Sequence, residues 1–398
     1  MELGGAEMAL IGLLEALDTK KVDVDLFINQ HTGPLMAQIP KKINLLPELP
    51  AYSAMERPMK NILREGHVLI TLARLLAKLR RRWYLLSLPK GQRRDGSRMQ
   101  YLFDAVSPLL PSLKYLGHYD LAISFLDPPH IVQDKVDANI KMEWIHTDFS
   151  TIKVNKAICE PRWAKNNYIA SISDAITEQF LKTFPKLKEK IIVIENIISP
   201  DEIRYKADAF DVMKEIPVGA GVVNLLTIGR FTYQKNFDNV PDICRQINSK
   251  LLTLDSRLSV RWYLVGYGGN EELIRQKIAE AGMEKHVIIL GKKSNPYPYI
   301  KACDIYVQPS RYEGKSITVR EAQILCKPVV ITNYPSAQSQ VNDGRDGVIC
   351  EMDNASVANA IIELIKDKAR QESIIQYLQT HDYGYESEVN KLYQILGC

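Results

Sequence analysis

Two doubly wound α/β units are what the sequence predicts, on three observations. The chain has 398 residues, too many for one ordinary α/β core and enough for two of roughly 150 to 200 residues each. Apolar strand-like runs alternate with amphipathic helical stretches along most of it, the pattern of parallel sheets covered by helices. A charged stretch with two prolines and little periodicity, Ser199 to Pro217, lies between the two alternating halves and reads as a linker or hinge.

In order, the first half opens with Gly4-Gly5-Ala6-Glu7. A helical run, Met8 to Leu17, and an alternating strand, Val22 to Ile28, follow. Further strands are predicted over Leu121 to Phe125, Met142 to His146, Tyr168 to Ser171 and Ile191 to Glu195. A helix from Asp174 to Phe184 is capped by Ser173 or Asp174. The second half runs strand Val222 to Ile228, helix Phe237 to Leu251, strand Val260 to Val265, helix Asn270 to Ala281 and strand Val287 to Leu290. It continues with strand Ile305 to Gln308, helix Ile317 to Leu325, strand Val329 to Thr332 and helices from Ala355 onward. The expected division is 1–200, 201–380 and a closing segment 381–398 that packs back on the first unit.

Composition excludes more than it assigns. A 46% hydrophobic and 25% charged chain is globular, and a net charge of +4 is too small to indicate a nucleic-acid partner. Six scattered cysteines without a C-x-x-C pair read as reduced thiols, which predicts a cytoplasmic setting. No His/Cys grouping has zinc-site spacing, so no metal is expected. One segment differs: Arg74 to Arg98 holds nine Lys or Arg residues against the single acid Asp95, interleaved with leucines, Trp83 and Tyr84. It is read either as a basic amphipathic helix on an anionic membrane surface or as a solvated, salt-bridged face.

Chemistry concentrates in two places. After strand Ile305 to Gln308 comes a loop with Glu313, then Gly314-Lys315-Ser316 at a helix start, then Glu321 eight positions after Glu313. Loops at the carboxyl ends of parallel strands face ligands, and helix-start amides bind anions such as a pyrophosphate. Glu321 is read either as an acceptor for two adjacent ribose hydroxyls or, in Thr318-Val319-Arg320-Glu321, as the Glu of a capping box. Glu313 is either a cleft carboxylate or an exposed loop acid. The second place is Gly229-Arg230 with Lys235, where two cations either neutralise a diphosphate or form surface ion pairs.

Taken together, Gly4-Gly5-Ala6-Glu7, Gly229-Arg230 with Lys235-Asn236, and Glu313 with Glu321 resemble the glycine loop, the Arg/Lys diphosphate pair and the E-x7-E motif of glycosyltransferase family 4. The resemblance implies a GT-B fold, two Rossmann-like domains facing a cleft, and a retaining transfer from a nucleotide-diphosphate sugar, a UDP-sugar by family frequency. It implies that Gly4, Gly5, Arg230, Lys235, Gly314, Lys315, Ser316 and Glu321 hold the donor, and that Glu313 and His146 stand at the transferring sugar. The acceptor implied is a glycan or a lipid-linked oligosaccharide, with no cofactor beyond the co-substrate. Closure is expected to hinge near residues 199 to 217 and near the C-terminus. Only Met1, Glu2 and Leu3 precede Gly4, where the family carries an apolar strand, so the first domain is expected to lack its first strand. A nucleotide-sugar epimerase, a phosphorylase or a non-catalytic sugar-nucleotide binder are the other readings that this fold admits.

Overall fold

The computed structural model describes all residues except 2, 3, 56, 89–96, 127, 148, 150, 151, 153, 220 and 256. The chain divides into two compact units, Met1–Asn196 with Ser387–Cys398, and Ile197–Glu386. Each is α/β with parallel strands.

In the first unit the helix Gly5–Ala16 follows the glycines, and its apolar side chains from Ala9 to Leu14 are buried. Strand β1 is only Asp25–Leu26, shorter than the Val22 to Ile28 run predicts, and pairs in parallel with β2, Asn44–Leu45. A separate four-stranded parallel sheet holds β3 (His118–Ser124), β4 (Asp137–Ile145), β5 (Tyr168–Ser171) and β6 (Ile191–Val193) in that order. Among the described residues no strand joins the two sheets. The hydroxyl of Tyr119 on β3 instead donates to Asp25 Oδ2 of β1 at 2.6 Å. A short β1 follows from this isolation, because a ladder with one partner has few bonds to extend it. The helix Asp174–Thr183 is capped by Ser173, whose Oγ accepts from the Ile176 amide at 3.2 Å. The C-terminal helix Val389–Leu396 belongs to this unit, and Tyr393 Oη accepts from the Asp18 amide at 2.7 Å.

The second unit carries one six-stranded parallel sheet. Its strands are β7 (Val222–Ile228), β8 (Ser259–Val265), β9 (Val287–Gly291), β10 (Ile305–Gln308), β11 (Val329–Thr332) and β12 (Val348–Cys350). Their spatial order is β9-β8-β7-β10-β11-β12. Counted within the unit this is 3-2-1-4-5-6, the doubly wound order whose winding reverses between the first and fourth strands. Near-continuous burial along β7, β10 and β11 fits a sheet covered on both faces. The stretch from Ser199 to Pro217 departs from the linker expectation, because Pro200–Ala207 is a helix. Ser199 caps it, proline occupies its first turn with Asp201 and Glu202, and Arg204 and Lys206 close it, a charge order that complements the helix dipole.

One buried hydroxyl ties three central strands together. Thr227 Oγ1 on β7 donates to the Val307 carbonyl of β10 at 2.6 Å and accepts from Trp262 Nε1 of β8 at 2.9 Å. Replacing it by the isosteric Thr227→Val leaves a buried indole N–H unpaired. We expect a loss of about 1–3 kcal/mol, read as a lowered unfolding midpoint, with Thr227→Ser close to the parent. Equal midpoints for the valine and serine variants would contradict this.

Candidate active site

The winding reversal puts the carboxyl ends of β7 and β10 side by side, and both ends carry polar loops. From β7 come Gly229 and Arg230, then Lys235 in a short 3-10 turn, Tyr233–Lys235. From β10 comes Pro309 to Ser316, which leads into the helix Ile317–Ile324. Lys235 crosses the reversal point: its Nζ lies 2.6 Å from Glu313 Oε1. The lysine stem lies along Gly229, where any Cβ would stand 3.4 Å from its methylenes. The next turn, Gly266-Tyr267-Gly268-Gly269, needs glycine twice. A Cβ at Gly266 would meet the Gly229 carbonyl at 1.9 Å, and one at Gly268 the Phe231 carbonyl at 2.6 Å.

Glu313 is 4% exposed, so it is no solvated loop acid. Its Oε1 accepts from Ser310 Oγ at 2.5 Å and Gln308 Nε2 at 3.3 Å besides Lys235, and its Oε2 from Gln234 Nε2 at 3.4 Å. Its backbone carbonyl accepts from Ser336 Oγ at 3.0 Å. Burying a carboxylate this deeply is costly unless such partners replace the water it loses.

The helix start is held by Gln340. Its Oε1 accepts from the Ser316 amide at 3.0 Å and from Tyr334 Oη at 2.9 Å, while its Nε2 donates to the Ser316 carbonyl. The Ser316 amide is therefore engaged within the protein, and the anion-facing role expected for Gly314, Lys315 and Ser316 together does not extend to that amide in this state. Lys315 Nζ lies 5.4 Å from the centre of the Tyr385 ring, and Arg320 lies 4.5 Å from the same ring.

Glu321 sits one helix turn further on, inside the helix that the loop leads into. Ser316 is the residue at the helix start, and no side chain caps it. Glu321 thus sits past the third position and cannot close a capping box. It is 3% exposed and accepts from Tyr297 Oη at 3.1 Å. Burial, only partly offset by that bond and by the charge of Lys206, pushes its carboxyl up to about 7.

Arg230 is exposed. The remaining predicted residues belong to the first unit. Gly4 precedes the helix Gly5–Ala16, and a Cβ there would meet the Glu7 carboxylate at 2.2 Å. His146 follows β4 and packs on Phe125 and Trp144, with ring centroids 4.6 and 6.3 Å away. Burial lowers its imidazole to about 4, so it is neutral at pH 7. Asp148, in the same run, lies outside the described residues. The sequence reading missed Gln308, Ser310, Ser336, Gln340 and Tyr297; a glutamine closing the apolar run Ile305-Tyr306-Val307 is the signal that marks the first of them.

Residues 214–381 match the family model described as Glycosyl transferases group 1. Among curated relatives, an N-acetylgalactosamine-N,N'-diacetylbacillosaminyl-diphospho-undecaprenol 4-alpha-N-acetylgalactosaminyltransferase of Campylobacter jejuni is 24% identical over 214 residues, 53% of each chain. A poly(ribitol-phosphate) alpha-N-acetylglucosaminyltransferase of Staphylococcus aureus is 24% identical over 221 residues, 49% of this chain and 44% of that one. This chain therefore spans about half the length of the curated relatives it matches. Among solved structures, a glycosyltransferase from Rickettsia africae superposes with a TM-score of 0.66 at 15% identity, covering 100% of this chain and 96% of that one. Anabaena Alr3699/HepE in complex with UDP gives 0.63 at 15% identity, covering 99% and 96%. The fold is of the GT-B class, two α/β units with parallel sheets.

The buried carboxyl sets a pH dependence. A value of about 7 against an ordinary 4.5 means that the folded state holds the Glu321 proton where the unfolded state has released it. Its contribution is complete below about 4.5 and is lost as pH rises through about 7, by about 3 kcal/mol in all. Glu321→Gln should match the parent near pH 4.5 and exceed it in thermal stability at pH 8. Taking the difference cancels the opposite slope of the buried histidines His130 and His146. A parent and variant of equal stability across that range would refute the assignment.

Proposed function

We propose that the protein is a retaining glycosyltransferase that moves a hexose from a nucleotide-diphosphate sugar, a UDP-sugar first, onto a hydroxyl of a glycan or lipid-linked oligosaccharide in surface polysaccharide synthesis. The observation that carries this reading is the Lys235–Glu313 pair at the winding reversal of the second unit, with a second buried carboxyl, Glu321, eight positions along. The match over 214–381 and the transferase activities named for the relatives support it.

In this reading Lys235 and Arg230 meet the diphosphate, the first as a point charge and the second as a bidentate fork, and stand in for a metal ion. Glu321 accepts the ribose hydroxyls. Gly4 and Gly5 let backbone approach the donor, while Gly314 and Lys315 contribute at the helix start. Glu313, held by four donors, keeps its loop in place against the transferring sugar, and the neutral His146 supplies a hydrogen bond to that sugar.

The bond from the anomeric carbon to the diphosphate oxygen breaks, and its electron pair leaves with the nucleotide diphosphate. The acceptor oxygen bonds to the same face of that carbon, and the acceptor proton passes to the departing phosphate. Positioning and stabilisation of the leaving charge are the catalytic contributions, so no dedicated base is required.

Calorimetric titration of UDP, GDP and ADP tests the donor site before any acceptor is known. One nucleotide should bind, and Arg230→Ala, an exposed position that leaves the core intact, should weaken it by about 1.5–3 kcal/mol, the scale of a charged hydrogen bond. Lys235→Ala should weaken it further and also lower stability, because Glu313 is then buried unpaired. Binding of none of the three to folded protein would refute the reading, and binding without turnover on any acceptor would reassign the chain as a non-catalytic binder. Turnover that survives a chelator is the expected result for charge stabilisation by side chains, and loss of turnover would restore the metal.

A further inference from the structure

The helix Val68–Ser87 is amphipathic the wrong way round for a helix that serves only its own core. Its buried side is narrow: Ile70 and Ala77 are buried, and Ala73 packs against the cluster of Tyr52, Ile62, Phe103 and Val106. Its large apolar residues face outward. Leu69, Leu72, Leu76, Leu79, Trp83 and Leu86 are between 46% and 73% exposed, with Trp83 the most exposed. Their spacing of three and four keeps them on one stripe, about 26 Å long at 1.5 Å per residue. Val68 and Leu75, also about half exposed, widen it to an arc of roughly 120° at 100° per residue.

The flanks of the stripe are cationic. Lys78 and Arg82 border one side and Arg80 the other, all exposed, and the helix contains no Asp or Glu. Arg80 is ion-paired with Asp104 at 3.8 Å, so one of the flanking cations already has a carboxylate within the fold. Arg74 turns inward and donates to the Ala54 and Arg57 carbonyls at 2.8 and 2.5 Å, which removes it from the surface set. Lys90, Arg93 and Arg94 lie outside the described residues. Among the described residues no helix is long and apolar enough to cross a membrane.

We propose that this helix lies flat on an anionic lipid bilayer, with Leu69, Leu72, Leu76, Leu79, Trp83 and Leu86 among the acyl chains and Lys78, Arg80 and Arg82 at the headgroups. Charge selects this occupant over a second copy of the chain. Two such helices face to face would set the same three cations against one another with no acid on either helix to pair them, whereas phosphate headgroups complement them. The inference stands apart from the donor site, which enters its test only as a control on folding.

Trp83 is a built-in probe, because Trp144, Trp163 and Trp262 are buried. The full chain is mixed with vesicles of phosphatidylcholine alone or of an equimolar mixture with phosphatidylglycerol, and co-sedimentation and tryptophan emission are followed. Binding to the anionic vesicles with a blue shift, lost in Trp83→Phe while sedimentation persists, is the expected result. Lys78→Glu with Arg82→Glu should cost well over tenfold in partition, since each cation near the surface contributes about fivefold. Leu72→Gln with Leu76→Gln, at exposed positions, should abolish binding while nucleotide titration stays as in the parent. Equal partition onto both vesicle types, or none, overturns the proposal. So does a dimer in lipid-free solution that the Leu72→Gln, Leu76→Gln variant dissolves, since the stripe would then be covered by its own copy.

Discussion

The ion pair between Lys235 and Glu313 is the constraint on which the second unit's polar end depends. The strand order places the ends of β7 and β10 next to each other. A carboxylate 4% exposed at that junction cannot be left to water. Each neighbour then has an assigned direction. Gln308 and Ser310 turn toward Oε1, Gln234 toward Oε2, and Ser336 reaches the backbone carbonyl from the loop after β11. The loop from Ser310 to Ser316 is thereby fixed at both side chain and backbone before any ligand arrives. Pre-set polar geometry of this kind is what differential stabilisation of a leaving charge requires.

Against that saturated carboxylate, Glu321 is the instructive contrast. Eight residues along the chain, it is as deeply buried, and the Tyr297 phenol and the charge of Lys206 offset that burial only in part. Folding alone gives no reason to keep it, since a neutral glutamine or an apolar residue would avoid the desolvation cost. A buried acceptor with spare capacity is useful to an arriving pair of hydroxyls. That is why, on the transferase reading, the penalty falls on this residue and not on Glu313. On that reading the two glutamates divide the work, one organising protein groups and the other accepting ligand groups.

Much of this was legible in the sequence, and what was not has identifiable causes. Strands β7, β10 and β11 were readable to the residue because continuous β-branched and aromatic runs in a sheet covered on both faces leave little choice of register. The pairing of Glu313 with Lys235 was not readable. It joins positions 78 residues apart, and only the reversal in strand order brings them together. The helix Pro200–Ala207 was hidden because Pro and charge, usually signs of a linker, here form its N-terminal turn. Glu321 fits a capping box only by the letters of Thr318-Val319-Arg320-Glu321, because with Ser316 at the helix start it lies past the position such a box needs. Strand β1 was overread, because alternation alone does not reveal whether a ladder partner exists beyond the pair it forms with β2.

The same logic applies, with the sign reversed, to the helix Val68–Ser87. In the second unit polar groups enter a core; in this helix apolar groups leave one. Neither is forced by local preference, since alanine and isoleucine already fill the inward face of the helix and leucine elsewhere on it adds nothing to the packing of Tyr52 and Phe103. Six large side chains at heptad-like spacing in water, ringed by cations, also invite self-association, which the like charges oppose. A sequence that keeps the stripe and guards it with Lys78, Arg80 and Arg82 has solved for a surface that is apolar in one layer and anionic in the next. A lipid bilayer has that order of layers, and a protein face of the same charge does not.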